Sequence, residues 1–328
     1  MIFNKNFNGA QEIHSLTGMY YQNNDFARIE TDIQIETRTV IDIVGYEVFK
    51  RAEDFYNSLN FVDGEIPSDD NKKRNYNLVK AVQSAIALLA FYRYTQGNLV
   101  SHEDVGRKVK IDKTNETMPW EWMIDRDNSA MLRKAYAAVD FLLIFLEANG
   151  ISEWMESIKR RNVRSVFISS AEEFHDVYPI DKSYRFYYEL LPFIVENQQS
   201  YLPAAMGESF YSDFFSRYKS NTLTGEDKTL LVLIRRWLAL KTIFTACTRF
   251  AISVFPEGIS QRFLASSGGR HASKEPAEDT VRRFAINISN DAEDALNRLK
   301  LKIKGIKARD IDFPIIPDNK PENGFFRA

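Results

Sequence analysis

The sequence predicts a mainly α protein: two tandem helical bundles from a weak internal duplication, with a short β-hairpin and an extended C-terminal arm. Three observations carry this expectation. Apolar residues recur at the 3.6-residue period over long stretches, strand-like stretches are few and short, and both halves of the chain present the same order of parts. The 328 residues suffice for about two domains. A hydrophobic fraction of 44% with 13% aromatic residues excludes wholesale disorder.

The helices follow from spacing. Leu78, Val82, Ile86, Leu89 and Arg93 share one face, as do Tyr136, Val139, Leu143 and Leu146. Gly97 and Asn149-Gly150 supply stop signals, where a left-handed residue closes a helix. Start signals are Asn24-Asp25, the capping box Ser170 with Glu173, Thr224 with Asp227, and Pro203 in a first turn. About eight helices result. Short strands are expected at Leu99 to Ser101 and Arg107 to Ile111, forming a hairpin, and at Arg164 to Ile168 as a bridge. Pro192 should kink or break the stretch from Ser183 to Ser200, and the charged run from Asp63 to Arg74 reads as a surface loop.

In the duplication, VGYEVFKRAEDFY, a loop, a long apolar helix, a polar Gly-containing connection and a further helix match AMGESFYSDFFSRY and the same succession after it. Gly45 then corresponds to Gly207, Arg93 to Arg249, and Arg133-Lys134 to Arg282-Arg283. The expected divisions are residues 1–165 for the first bundle with its hairpin insertion, 166–309 for the second bundle and 310–328 for the arm.

Charge and motif content narrow the chemistry. Lys plus Arg number 43 against 45 Asp plus Glu, so any contact with nucleic acid or anionic lipid must be local. Cys247 stands alone in an apolar stretch and reads as a buried, inert thiol. The opening residues lack a secretory pattern, apolar runs are interrupted by charges, and a cytoplasmic product is expected. His14, His102, His175 and His271 are too scattered for a metal site, and His102-Glu103-Asp104 reads as a solvated loop. Ser266-Ser267-Gly268-Gly269-Arg270 has the glycines of a phosphate loop without its lysine. Asp63, Glu65, Asp69 and Asp70 sit in a charged loop where solvation is the default. No catalytic, cofactor or metal residues are expected.

Three features invite partner contact instead. Trp120 and Trp122 flank Glu121 at alternating spacing; they either seal the bundle core or meet a partner. Lys300, Lys302, Lys304, Lys307 and Arg309 form a basic run in which Leu299, Leu301 and Ile303 alternate with the lysines, fitting a pairing strand or the frayed end of a helix. The tail combines Pro314, Pro317 and Pro321 with Phe313, Ile315, Ile316, Phe325 and Phe326, apolar groups on an extended arm that need a surface to bury against.

The succession RIETDIQIETRTVIDIVGYEVFKRAEDFY, LVKAVQSAIALLAFYRYTQGNLVSHEDVGRKV and MLRKAYAAVDFLLIFLEANG resembles a family of proteins of Bacteroidota and crAss-like phages that look like head-to-tail connector, or adaptor, subunits of the virion neck. The resemblance covers most of residues 20–270 and rests on helical patterns. It implies a structural virion protein without cofactor, assembled in the host cytoplasm into a ring, twelve-fold in that family, between portal and tail. Its partners would be its own copies, the portal protein and tail or other neck proteins, with DNA only as passing cargo and no membrane. Two further readings stand beside it: a soluble helical enzyme using residues such as Glu196 or Tyr187 near Pro192, and a nucleic-acid-binding regulator using Lys159, Arg160, Arg161 and Arg164.

Overall fold

Two long helices are buried over most of their circumference, and the remaining elements wrap them. The computed structural model describes residues 1–103, 106–108, 119–250, 253–255, 258–260 and 278–310. Among them a 3-10 turn, Lys5–Phe7, precedes twelve α-helices: α1 (Gly9–Thr17), α2 (Ala27–Val44), α3 (Tyr46–Asn57), α4 (Asp70–Gly97), α5 (Glu121–Asn149), α6 (Ser152–Met155), α7 (Ile158–Val163), α8 (Ala171–His175), α9 (Tyr184–Met206), α10 (Glu208–Lys219), α11 (Gly225–Phe250) and α12 (Glu278–Asp310). The excess over eight comes in part from helices too short to display a period, such as α6 and α7, whereas the short α8 follows the Ser170 capping box. Three-residue antiparallel pairs join β1 (Ser101–Glu103) to β2 (Gly106–Lys108) and β3 (Ser253–Phe255) to β4 (Gly258–Ser260). The first pair is displaced from the strands expected at Leu99–Ser101 and Arg107–Ile111, because α4 runs on to Gly97 and pairing starts only at Ser101.

In α4, Leu78, Val79, Val82, Ala85, Ile86, Ala87 and Ala90 are all fully enclosed, so burial extends well beyond the single face that the spacing suggested. α1, α2, α3 and α5 supply the enclosure. α11 is enclosed likewise at Leu230, Ile234, Leu238, Ala239, Thr242 and Ala246, chiefly by α9 and α12. The two wrapped helices belong to one cluster of buried side chains, bridged where α5 meets α9. There Asp140 accepts hydrogen bonds from the Ser183 hydroxyl (3.0 Å) and the Arg185 amide (2.7 Å), tying the middle of α5 to the start of α9.

Several helix boundaries follow from side-chain caps. Ser170 Oγ accepts from the Glu173 amide at 3.1 Å, and Thr224 and Asp227 exchange hydrogen bonds in both directions. Asp69 accepts from the Lys72 amide at 2.8 Å, so α4 begins inside the charged run and the loop expected up to Arg74 ends sooner. Gly150 closes α5 in the left-handed region at φ 56°. Gly97, in contrast, is simply the last helical residue of α4. Both prolines of α9 lie within it: Pro192 does not break the helix, and Pro203 sits in its last turn rather than a first, its carbonyl accepting from the Gly207 amide at 2.8 Å.

The segment Arg164 to Ile168, expected as a bridge strand, pairs with no strand among the described residues. Its β-branched residues are buried, which produces the strand-like signal, but side chains satisfy its main chain. Gln198 accepts from the Phe167 amide and donates to the Ser165 carbonyl, both at 2.8 Å, Arg235 Nε donates to the Phe167 carbonyl at 2.8 Å, and Tyr187 donates to the Ile168 carbonyl at 2.8 Å. A buried backbone needs partners, and here they come from α9 and α11. The Phe167 ring lies among Tyr211, Phe214, Phe215 and Tyr218.

Two glycines turn the chain alike. Gly45 (φ 94°, ψ 150°) links α2 to the twelve-residue α3, and Gly207 (φ 88°, ψ 132°) links α9 to the twelve-residue α10. An L side chain rarely adopts either backbone conformation. The helix before each turn also forms an ion pair with the long helix further along: Glu36 of α2 with Arg93 of α4 at 2.7 Å, and Glu196 of α9 with Arg249 of α11 at 2.6 Å. A Cβ at position 45 would meet nothing within 4 Å, so Gly45→Ala isolates the backbone strain. Urea denaturation should show a loss of about 1–3 kcal/mol; a change within the ordinary surface range of about 0.5 kcal/mol contradicts this account.

Candidate interaction surface

α5 engages the core only from Met131 onward, its buried residues being Met131, Ala135, Val139, Leu142, Leu143 and Leu146. The residues before Met131, Glu121 to Ala130, contribute nothing to the core and touch the body at Asn128, which accepts from Gln96 of α4 at 2.7 Å. Trp120, extended at the helix entry (φ −67°, ψ 147°), is 69% exposed, Trp122 is 51% exposed and Met123 is also exposed. The alternative that these rings seal the core is thereby corrected: the core-facing stripe of α5 starts only at Met131, about two and a half turns after Trp122.

The basic run closes α12 as a continuous helix, not a strand. Leu299 and Ile303 are buried against the body at the four-residue spacing of one helix face. Leu301 points away and is 68% exposed, between the exposed Lys300 and Lys304, while Lys302 is half-buried. The side chains of Lys307 and Arg309, the arm residues Phe313, Ile315, Ile316, Phe325 and Phe326, the run from Ser266 to Arg270 and the side chains of His102-Glu103-Asp104 lie outside the described residues.

A cleft of about 590 Å³ opens at the α2–α3 turn, between Asp42 to Val48 and the segment from Glu153 to Arg161. Gly45, at the turn, is among its lining residues. Lys159, on its floor, donates to the carbonyls of Asp42 (2.6 Å) and Ile43 (3.0 Å), capping the C-terminal end of α2, where cations are favoured. Burial lowers the pKa of this ammonium.

The regulator and enzyme candidates disperse. Of the four bases from Lys159 to Arg164, Lys159 is held by carbonyls and Arg160 by Glu147 at 3.0 Å, leaving Arg161 and Arg164 exposed. Glu196 forms an exposed bidentate pair with Arg249, while the Tyr187 hydroxyl is buried on the Ile168 carbonyl, so the two do not share a cleft. Among the described residues, no group of three or more His, Cys, Asp or Glu is placed to hold a metal ion, and no helix is long and apolar enough to cross a membrane. Cys247 is buried, which pushes its thiol up to about 11. The polar knot that the spacing did not reveal is Glu147, which accepts from Trp154 Nε1 (3.0 Å) and the Tyr188 hydroxyl (2.6 Å) besides pairing with Arg160. Burial, then Glu147 itself, raises the Tyr188 pKa well above its usual range. The knot joins α5, α6, α7 and α9, a structural role.

A family model described as a family of unknown function (DUF6712) matches residues 41–164 and 202–308. The chain belongs to that family. The matched stretches open just ahead of Gly45 and Gly207, and the first ends beside α7 while the second ends within α12. No curated protein and no solved structure matches the chain.

Glu147→Gln should leave the Arg160 charge without its counter-ion and weaken three contacts at once. The expected loss in chemical denaturation is about 1–3 kcal/mol, less than for a fully enclosed pair because both groups keep some solvent; an unchanged midpoint contradicts the role given to Glu147.

Proposed function

We propose that the chain is a structural virion protein, a head-to-tail connector or adaptor subunit that forms a ring between portal and tail through heterologous contacts and an extended C-terminal arm. In this reading it is a scaffold rather than an enzyme, its partners are its own copies, the portal protein and neighbouring neck or tail proteins, and its body is a pair of tandem bundles descended from one duplicated unit. The matched turns at Gly45 and Gly207, the matched ion pairs Arg93–Glu36 and Arg249–Glu196, and the family match on either side support the duplication.

The observation that carries the reading is the solvent-facing pair Trp120 and Trp122 on a helix end that stands clear of the core. Tryptophan is the side chain that most often anchors a protein interface, and two of them exposed together cost solubility unless a partner covers them. A ring also needs each subunit to present different surfaces to its two neighbours, which in this reading fall to the two bundles and the arm.

Mass measurement and negative-stain imaging of the chain, alone and mixed with a portal protein, test this. Rings or higher-order complexes should form with the portal, and the double variant Trp120→Ala, Trp122→Ala should lose them by at least about tenfold in affinity while keeping its helical circular dichroism and melting temperature. A wild-type chain that assembles neither alone nor with the portal overturns the proposal, and a double variant that assembles like wild type removes the observation on which it rests.

A further inference from the structure

We propose that the exposed end of α12 in one copy docks into the cleft at the Gly45 turn of a second copy. This inference rests on the ring reading above and names its self-contact. The charges at the two surfaces are complementary. In the cleft, Glu153 is neutralised by Arg51 at 2.8 Å and Lys159, donating to main-chain carbonyls, also offsets the charge of Asp42, so the free acids of the exposed rim are Glu47 and Glu156, beside Arg161. Asp42 has one further exposed neighbour, Arg38, at 3.7 Å, a loose pair that is readily exchanged in solvent. The end of α12 presents the opposite charge: Arg298, Lys300 and Lys304 are exposed with no acid between positions 295 and 306.

The apolar groups match as well. Leu301 stands 68% exposed in the middle of the basic surface, and the cleft mouth is flanked by two exposed apolar side chains, Tyr46 at 57% and Ile158 at 69%. A leucine set among lysines fits a hydrophobic mouth rimmed by carboxylates, the arrangement of an apolar contact inside a polar rim. The cleft belongs to the first matched stretch and the basic end to the second, so one surface of each copy meets a different surface of the next. Such a contact is heterologous and propagates into a ring when the rotation closes.

Charge reversal on either side provides the test. The full chain at low salt should self-associate in sedimentation velocity, and association should weaken as salt rises. Glu47→Lys with Glu156→Lys, or Lys300→Glu with Lys304→Glu, should each weaken self-association by at least about tenfold, because each variant opposes like charges. An equimolar mixture of the two variants should recover it, since each then offers the complement of the other. Leu301→Ser, at a site with no buried contact to lose, should weaken association at an unchanged melting temperature. A monomeric wild type, a variant that associates like wild type, or a mixture that stays dissociated overturns this docking. Rings formed with the portal equally well by both charge variants would retire this surface and leave the connector reading standing; failure of the wild type to assemble with the portal would remove that reading itself.

Discussion

A helix that is apolar on nearly every side has to be surrounded, and this single requirement organises the molecule. α4 and α11 each carry more hydrophobic surface than one packing partner can cover. Leaving it in water would cost about 25 cal/mol for every Å² exposed, so neighbours must close around both helices. Around α4 the preceding α2 and α3 do so, around α11 the preceding α9, and the long helix after each, α5 or α12, completes the wrap.

Polar groups then select one arrangement among the many that a greasy helix would tolerate. Glu147 gathers Trp154, Tyr188 and Arg160 into a knot, Asp140 fixes the entry of α9, and Gln198 stands in for a missing strand beside Phe167. Each leaves a costly unsatisfied group if the packing slips, so together they hold the junction between the halves to one register. Rigidity of this kind would suit the connector role proposed above, in which surfaces must be presented at fixed positions. The exposed tryptophans of α5 and the basic end of α12 both sit on helices anchored in this way elsewhere along their length.

The helical class was legible because period, caps and stop signals agree; Ser170 with Glu173 and Thr224 with Asp227 cap where their spacing placed them. The similar backbone geometry of Gly45 and Gly207 could be anticipated, because glycine readily adopts a positive φ and each stands between two helical patterns. What escaped the sequence has identifiable causes. Burial of Val166, Phe167 and Ile168 imitates a strand whenever side chains, rather than a ladder, satisfy the main chain. Alternation of Leu and Lys around position 301 imitates a strand because Leu299 and Ile303 also fit a helix face, and only the body against which they pack decides between the two. The exposure of Trp120 and Trp122 depends on where α5 first touches α4, a tertiary fact that local spacing does not encode. Likewise the cleft at the Gly45 turn joins residues more than a hundred positions apart.

Native-state hydrogen exchange, followed amide by amide in increasing denaturant, addresses the central claim that two wrapped helices form one joined core. The slowest amides should lie in Leu78 to Phe91 and in Leu230 to Cys247, and both sets should open with the same free energy and the same denaturant dependence. Slow exchange confined to one of these helices, with the other opening at a cost lower by several kcal/mol, would contradict it.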